Sequence, residues 1–141
     1  MRGQTQGSVP KSVPLVFVHG LAFFSYDWVP VASALGREAA CLDMRGFGDS
    51  DWSGDYSVGA MAGDIGALLD HLGWARAIVV GHSLGGRNAA YFASRKPKRV
   101  AGLALIDYAP DDAADGLKRA AESVVAVPDV FPSVDAAMAY F

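Results

Sequence analysis

The stretch Ala77-Ile78-Val79-Val80-Gly81-His82-Ser83-Leu84-Gly85-Gly86 joins an apolar, β-branched run to a serine flanked by glycines. The apolar run predicts a strand buried on both faces. The residues from Leu84 to about Arg95 predict a helix, which ends before Pro97 because a proline disfavours helical backbone in the preceding residue. Glycines on both sides of Ser83 are typical of a sharp strand-to-helix turn, in which larger residues would collide with the strand or the helix. Such a turn exposes the serine hydroxyl and places the start of a helix behind it, where negative charge is stabilised.

Three further apolar runs predict strands around this turn, and they are Pro14–Val18, Ala39–Asp43 and Val100–Asp107. Ser57 is placed as a helix N-cap, and behind it apolar residues recur at steps of three and four as far as Gly73. These apolar residues are Val58, Met61, Ile65, Leu68, Leu69 and Leu72. A weaker helical pattern runs through Val31, Ala34 and Leu35 and ends at Gly36. Strands that alternate with helices predict an α/β fold with a parallel sheet of about four strands, flanked by helices.

Composition and charge narrow the classes of function. The chain has 141 residues, of which 52% are hydrophobic and 19% charged, as in a globular protein. A net charge of -3 argues against a nucleic-acid partner. No apolar run reaches the roughly 18 residues of a membrane helix, and the first residues lack a signal-peptide pattern, so we expect a cytoplasmic protein. The single cysteine, Cys41, excludes an intrachain disulfide. No Cys and His spacing suits a metal, and we expect no metal and no cofactor.

Two more blocks lie at predicted strand ends, namely His19-Gly20-Leu21 and Asp43-Met44-Arg45-Gly46-Phe47-Gly48-Asp49-Ser50. With Gly81-His82-Ser83-Leu84-Gly85-Gly86, they resemble the α/β-hydrolase fold family, in its serine esterase, lipase and lactonase-like branch, over about residues 14–110. The resemblance implies a small-molecule ester or acyl substrate. It implies that Ser83 is the nucleophile, that the backbone amides of Leu21 and Leu84 form the oxyanion hole, and that His19, Gly20 and His82 line the substrate site. For His19, which belongs to the oxyanion loop, a structural hydrogen-bonding role is the favoured alternative. Haloalkane dehalogenases and epoxide hydrolases are similar but place aspartate at the nucleophile position, so a serine there favours acyl transfer.

The family's order of catalytic residues is Ser, then Asp or Glu, then His. The three histidines of the chain are His19, His71 and His82, and none follows Ser83. Asp107, after the last predicted strand, is a candidate acid. We therefore expect a truncated hydrolase that lacks the catalytic histidine, and the alternative is a non-catalytic α/β fragment or interaction domain. A sheet of only four strands has two unprotected edges, which favours self-association.

The resemblance divides the chain into a partial hydrolase core, residues 1–110, and the start of a helical cap, residues 111–141. Within the second part, residues 116–127 and 133–141 predict helices, the latter capped by Ser133. The aromatic residues Phe23, Phe24, Tyr26 and Trp28 are candidates for either the core or an acyl pocket.

Two nucleotide-binding patterns are almost matched. The segment from Gly81 to Asn88 has the spaced glycines of a phosphate-binding loop, but Arg87 and Asn88 replace its lysine and its hydroxyl residue. The segment from Gly46 to Asp51 begins like a dinucleotide fingerprint, but acidic residues would repel a pyrophosphate. A glycine-turn loop in which Arg45 pairs with acids explains the second segment better.

Overall fold

The computed structural model describes residues 12–109, 118, 122, 126–128 and 130–140. They form β1 (Leu15–Val18), a 3-10 helix (Ser25–Trp28), α1 (Val29–Leu35), β2 (Ala39–Leu42), α2 (Val58–His71), β3 (Ala77–His82), α3 (Leu84–Arg95), a second 3-10 helix (Pro97–Arg99), β4 (Val100–Ile106) and α4 (Val134–Tyr140). These residues fall into two units, one as far as Tyr108 and one from Ala109 onward. The assignment of the second unit to a cap stays a prediction.

The four strands form one parallel sheet in the order β2-β1-β3-β4. This confirms the predicted fold class, and each strand boundary lies within one residue of its predicted position. The carboxyl ends of parallel strands meet at one edge of the sheet. The residues that follow the four strands, His19, Asp43, Ser83 and Asp107, therefore share that edge.

The main core lies between the sheet and the helices α2 and α3. All four residues of β1 are buried, as expected for a central parallel strand. Val16 and Val18 of β1 pack with Val79 of β3, with Ile65 of α2 and with Phe92 of α3. On the opposite face, Phe17 stacks on Trp28 with ring centroids 5.1 Å apart.

Helix α2 has the boundaries that its sequence predicts. Ser57 is its N-cap, and the hydroxyl oxygen accepts a hydrogen bond from the amide of Ala60 at 3.2 Å. After the last turn, Gly73 adopts a positive φ of 66°, which glycine tolerates without strain. Because α2 connects two parallel strands, it runs against them and ends at the amino edge of the sheet.

Two expectations need correction. The weak helical pattern that ends at Gly36 is preceded by a 3-10 helix, Ser25–Trp28, which is too short to predict from periodicity. The core interpretation of the aromatic cluster holds only for Trp28, which is partly buried. Phe23, Phe24 and Tyr26 are exposed.

The strand β4 is the least protected part of the sheet. Among the described residues, no strand pairs with its outer side. Its sequence carries no charge and no proline, and Leu103, Leu105 and Ile106 are each more than a third exposed. This is an edge without the usual protections against pairing with another strand.

In the second unit, α4 confirms the predicted capping by Ser133, whose hydroxyl oxygen accepts from the amide of Ala136 at 3.1 Å. The predicted helix over residues 116–127 lies mostly outside the described residues. No described helix is long and apolar enough to cross a membrane.

Candidate active site

The turn between β3 and α3, Gly81–Gly86, is called the elbow below. Ser83 lies at its centre with φ 49° and ψ −112°, a backbone conformation that residues other than glycine rarely adopt. Its amide donates a hydrogen bond to the carbonyl oxygen of Ile106 at the end of β4, at 2.9 Å. The side chain is partly exposed, and its hydroxyl makes no hydrogen bond to another described residue.

The flanking glycines of the elbow are required by close packing. A Cβ atom on Gly81 would lie 2.5 Å from the carbonyl oxygen of Gly85, and a Cβ on Gly85 would lie 2.5 Å from the carbonyl oxygen of His19. Real Cβ atoms essentially never come closer than 3.0 Å to such atoms. The obstructing atoms belong to the backbone, which cannot rotate away. The first turn of α3 is thus pressed onto the end of β1, and this fixes the direction in which Ser83 leaves the strand.

The two predicted oxyanion donors, Leu21 and Leu84, have amides that donate no hydrogen bond to any described residue. Leu84 begins α3, where the first amides have no partner within the helix. Leu21 lies in the turn after β1, and the next residue, Ala22, has a positive φ of 63°. Both amides follow a strand at the carboxyl edge. A free amide there can donate a hydrogen bond to a ligand oxygen.

The structure favours the hydrogen-bonding role of the His19 side chain over the substrate-lining one. It is fully buried, with Nδ1 2.8 Å from the carbonyl oxygen of Gly20 and Nε2 3.2 Å from the amide of Met44. Burial lowers the pKa of this imidazole, and the hydrogen bond with the Gly20 backbone and the nearby carboxylates of Asp43 and Asp27 only partly offset that effect. This side chain has no exposed surface, and its ring contacts the backbone of Gly20 and Met44.

His82 and Asp107 lie beside the elbow. The His82 ring packs against Gly20, where a Cβ would lie 2.7 Å from Nδ1, and meets Phe23 edge-on with centroids 5.6 Å apart. His82 Nε2 is 3.9 Å from a carboxylate oxygen of Asp107, which is too long for a hydrogen bond. Asp107 has a positive φ of 51°, and its side chain is 84% exposed. Neither side chain forms a hydrogen bond with Ser83.

The loop after β2 is held by carboxylates and by Arg45. Asp43 accepts from the amides of Ser25 and Asp49 at 2.6 and 3.2 Å, and its carboxylate fills the space beside Gly48. Arg45 makes a two-pronged ion pair with Asp64 of α2, with distances of 2.6 and 2.8 Å. Hydrogen bonding to Asp64 raises the pKa of Arg45, so the guanidinium stays charged. The loop interior therefore holds acids and their partners, in agreement with the glycine-turn interpretation.

Comparison with known proteins decides the family. The model of the family described as alpha/beta hydrolase fold matches residues 13–137. The chain is 37% identical over 100 residues to the sn-1-specific diacylglycerol lipase ABHD11 of Mus musculus, and 36% identical over 114 residues to the soluble epoxide hydrolase of Corynebacterium sp. (strain C12). The solved structure of a marine microorganism esterase matches with a TM-score of 0.76 at 28% identity.

The chain belongs to the α/β-hydrolase fold family. It spans about half or less of the length of these relatives. The matched regions are 68% of this chain and 33% of the lipase, 78% and 38% for the epoxide hydrolase, and 86% and 48% for the esterase.

Within this α/β-hydrolase sheet, the sequence-predicted residues occupy two neighbourhoods. Leu21, His82, Ser83, Leu84 and Asp107 lie at the carboxyl edge, whereas His71 is the last residue of α2 and lies towards the amino edge. Among the described residues, no three His, Cys, Asp or Glu side chains group so as to hold a metal ion.

Sequence reasoning missed the contact of His19 with Met44 and the choice of Asp64 as the partner of Arg45. A signal for the first existed, because a polar residue ending a fully apolar strand must find buried partners. The choice of Asp64 as the partner of Arg45 had no signal in the sequence, since several acidic residues lie near Arg45 along the chain.

Proposed function

We propose that Ser83 is the nucleophile of a serine hydrolase that acts on carboxylic esters or related acyl compounds. The observation that carries this proposal is the positive φ of Ser83 in a turn walled by backbone atoms. Such backbone strain costs about 1–3 kcal/mol and persists where the surroundings over-determine it, typically at functional sites. The turn thus behaves as a nucleophile elbow, which presents one hydroxyl at the end of a strand.

The proposed reaction has two halves. Ser83 Oγ attacks the carbonyl carbon and loses its proton to a base, while the carbonyl electrons move onto the oxygen. The amides of Leu21 and Leu84 stabilise that oxyanion, and the start of α3 adds a favourable dipole. The carbonyl then re-forms as the alcohol leaves with a proton. Water next attacks the acyl-enzyme, takes the acyl group from Ser83 as a carboxylic acid and returns the proton to the serine.

The base of this reaction is proposed to come from outside these 141 residues. His19 is buried, His71 lies towards the other edge of the sheet, and His82 makes no hydrogen bond to Ser83. Asp107 is the proposed acid of a complete enzyme, supported by its position after β4 and by its constrained backbone. Residual activity without the base would rest on oxyanion contacts and binding.

The similar proteins support the substrate class in part. A diacylglycerol lipase and an esterase are named for esters, whereas the epoxide hydrolase is named for another reaction. Ser83 favours the acyl reaction, because the resemblance implies aspartate at this position in epoxide hydrolases. Gly20 and His82 are proposed to border the substrate, since they pack against each other beside the elbow.

The second candidate function is a non-catalytic α/β module. The observation that favours it is the Ser83 hydroxyl, which has no hydrogen-bond partner among the described residues. A serine without a base is a weak nucleophile.

A serine-directed fluorophosphonate probe and a short p-nitrophenyl ester test both candidates on the 141-residue chain. Because residual reactivity without the base rests on the oxyanion contacts, we expect a slowly formed adduct on the peptide that contains Ser83, and none in Ser83→Ala. Ser94→Ala is the matched control, because Ser94 is an exposed serine on α3 whose hydroxyl donates a hydrogen bond to the Tyr91 carbonyl.

Labelling and ester turnover together distinguish the serine hydrolase from the non-catalytic module. Labelling without ester turnover means that the elbow and oxyanion amides work without a base. Turnover that disappears in Ser83→Ala would show that these residues already contain one, against our proposal. A folded chain that is not labelled supports the non-catalytic module.

Two predictions beyond the site remain proposals: a cytoplasmic location and self-association through β4. For the latter, sedimentation velocity should detect a dimer that Leu105→Lys abolishes. Leu72→Lys should leave it intact, because Leu72 is as exposed as Leu105, at 38% against 36%, but lies off the sheet edge. A monomer at high concentration would contradict the proposal.

A further inference from the structure

His19 is the only fully buried histidine among the described residues, and both of its ring nitrogens contact backbone. Nδ1 faces the carbonyl oxygen of Gly20, which can only accept a hydrogen bond. Nε2 faces the amide of Met44, which can only donate one. One protonation state satisfies both contacts: the neutral imidazole with its hydrogen on Nδ1. An imidazolium would set an N–H group on Nε2 against the N–H of Met44.

The two contacts join parts of the site that come from different strands. Gly20 precedes Leu21, the proposed oxyanion donor after β1. Met44 follows β2, is fully buried, and has a sulfur atom that accepts from the side-chain amide of Asn88 at 3.1 Å. Asn88 is on α3, five residues after Ser83. The His19 imidazole therefore links the loop that carries Leu21 to a buried contact with the elbow helix.

The turn that carries the other proposed oxyanion donor, Leu84, also contacts His19. Gly85 follows Leu84, and its Cα packs so closely on the His19 carbonyl that no Cβ would fit. The backbone of His19 thus packs against the Leu84 turn, and its side chain contacts the carbonyl of Gly20, which precedes Leu21.

We propose that His19 is a positioning residue for the oxyanion hole, and that only its neutral, Nδ1-protonated form holds the Leu21 turn in place. This inference rests on the proposed function. It differs from a purely structural role, because it makes the Leu21 amide respond to the protonation of a side chain that does not touch the substrate.

Burial and the surrounding polar and charged groups act on the pKa of the His19 imidazole in opposite directions. Asp43 from the loop after β2 and Asp27 from the 3-10 helix favour the imidazolium, and His82 from β3 is a further titratable group packed against Gly20. Desolvation is the largest influence, and it lowers the pKa of His19. The unfolded chain then binds more protons than the folded one, so stability from this group is complete above about pH 6.5 and is lost as pH falls below it.

The test begins with the unmodified chain, labelled with ¹⁵N. Imidazole nitrogen shifts report the tautomer, and the Leu21 and Met44 amides are followed from pH 7.5 to 5. We expect the Nδ1–H tautomer, and both amides should move together with an apparent pKa below the ordinary histidine value. His19→Gln, which cannot titrate, should abolish that common movement. His71→Gln, which removes an exposed histidine, should leave it unchanged.

A labelling rate supplies the functional readout. The fluorophosphonate rate at Ser83 should fall about tenfold or more in His19→Gln at pH 7.5, since losing one oxyanion donor costs about 10²–10³ in rate. An Nε2–H tautomer, or a Leu21 amide that stays still while Met44 moves, would overturn the inference. If the unmodified chain is never labelled but the amides titrate together, the non-catalytic module is supported and the positioning contact stands.

Discussion

The elbow and helix α2 each carry three glycines, which are Gly81, Gly85 and Gly86 in the elbow and Gly59, Gly63 and Gly66 in the helix. Around the elbow glycines, an added Cβ would meet the backbone of Gly85, Val18 and His19, or the side chain of Tyr108. Around the α2 glycines it would meet open space, or the far end of an aromatic ring. The same residue type is thus required by close packing in one segment and is replaceable in the other, and composition alone cannot tell them apart.

The largest effect on the free energy of unfolding is expected at Gly85, where an added Cβ would meet only backbone atoms. Gly85→Ala should cost about 4 kcal/mol or more of unfolding free energy, because the new Cβ overlaps backbone that cannot relax. Urea unfolding followed by circular dichroism measures the change. Gly63→Ala on α2 is the control for the substitution itself. A loss below about 1 kcal/mol would mean that α3 can slide away from β1, and that the elbow is less constrained than its contacts indicate.

The next effect concerns the ion pair that ties α2 to the carboxyl edge. Arg45→Lys keeps the charge but loses the fork that bonds both oxygens of Asp64. We expect a loss of about 1.5–2 kcal/mol, since hydrogen bonds to charged groups contribute about that much. Asp64→Asn is the complementary variant, and equilibrium unfolding at 0.15 M salt is the measurement. If both variants match the parent protein, the pair behaves like an ordinary exposed ion pair.

Sequence predicted the fold well because its strongest signals are local. Four apolar runs, the Ser57 cap and the helix-ending Gly73 each act over a few residues, and their boundaries are reproduced in the structure. The site was predicted only in part. Ser83 was identified from its flanking glycines, but the burial of His19 depends on Met44, which is distant in sequence and adjacent in space. The exposure of Phe23 and Tyr26 likewise depends on packing that no short pattern encodes.

A smaller, favourable effect is expected at the open position of α2. Gly63 lies mid-helix, is exposed, and has nothing within 4 Å of an added Cβ. Gly63→Ala should therefore stabilise the protein by about 1 kcal/mol, the difference in helix propensity between the two residues. The midpoint of urea unfolding should rise with no change in slope. A lower midpoint would contradict this prediction, because it would mean that the added Cβ meets an obstruction on this exposed face of α2.

The smallest effect is expected at Gly66, which lies between the two extremes. Its added Cβ would lie 3.2 Å from the edge of the Phe92 ring, a side-chain contact that must yield by a few tenths of an ångström. The helix gains about 1 kcal/mol from alanine, and crowding of the buried ring removes a similar amount, so Gly66→Ala alone should be nearly neutral. Combining it with Phe92→Leu removes the opposing ring. In that background, Gly66→Ala should stabilise by about 1 kcal/mol, a coupling that a double-mutant cycle isolates. Zero coupling would mean that the Phe92 ring moves aside at no cost, so that an added Cβ at Gly66 is tolerated as well as one at Gly63.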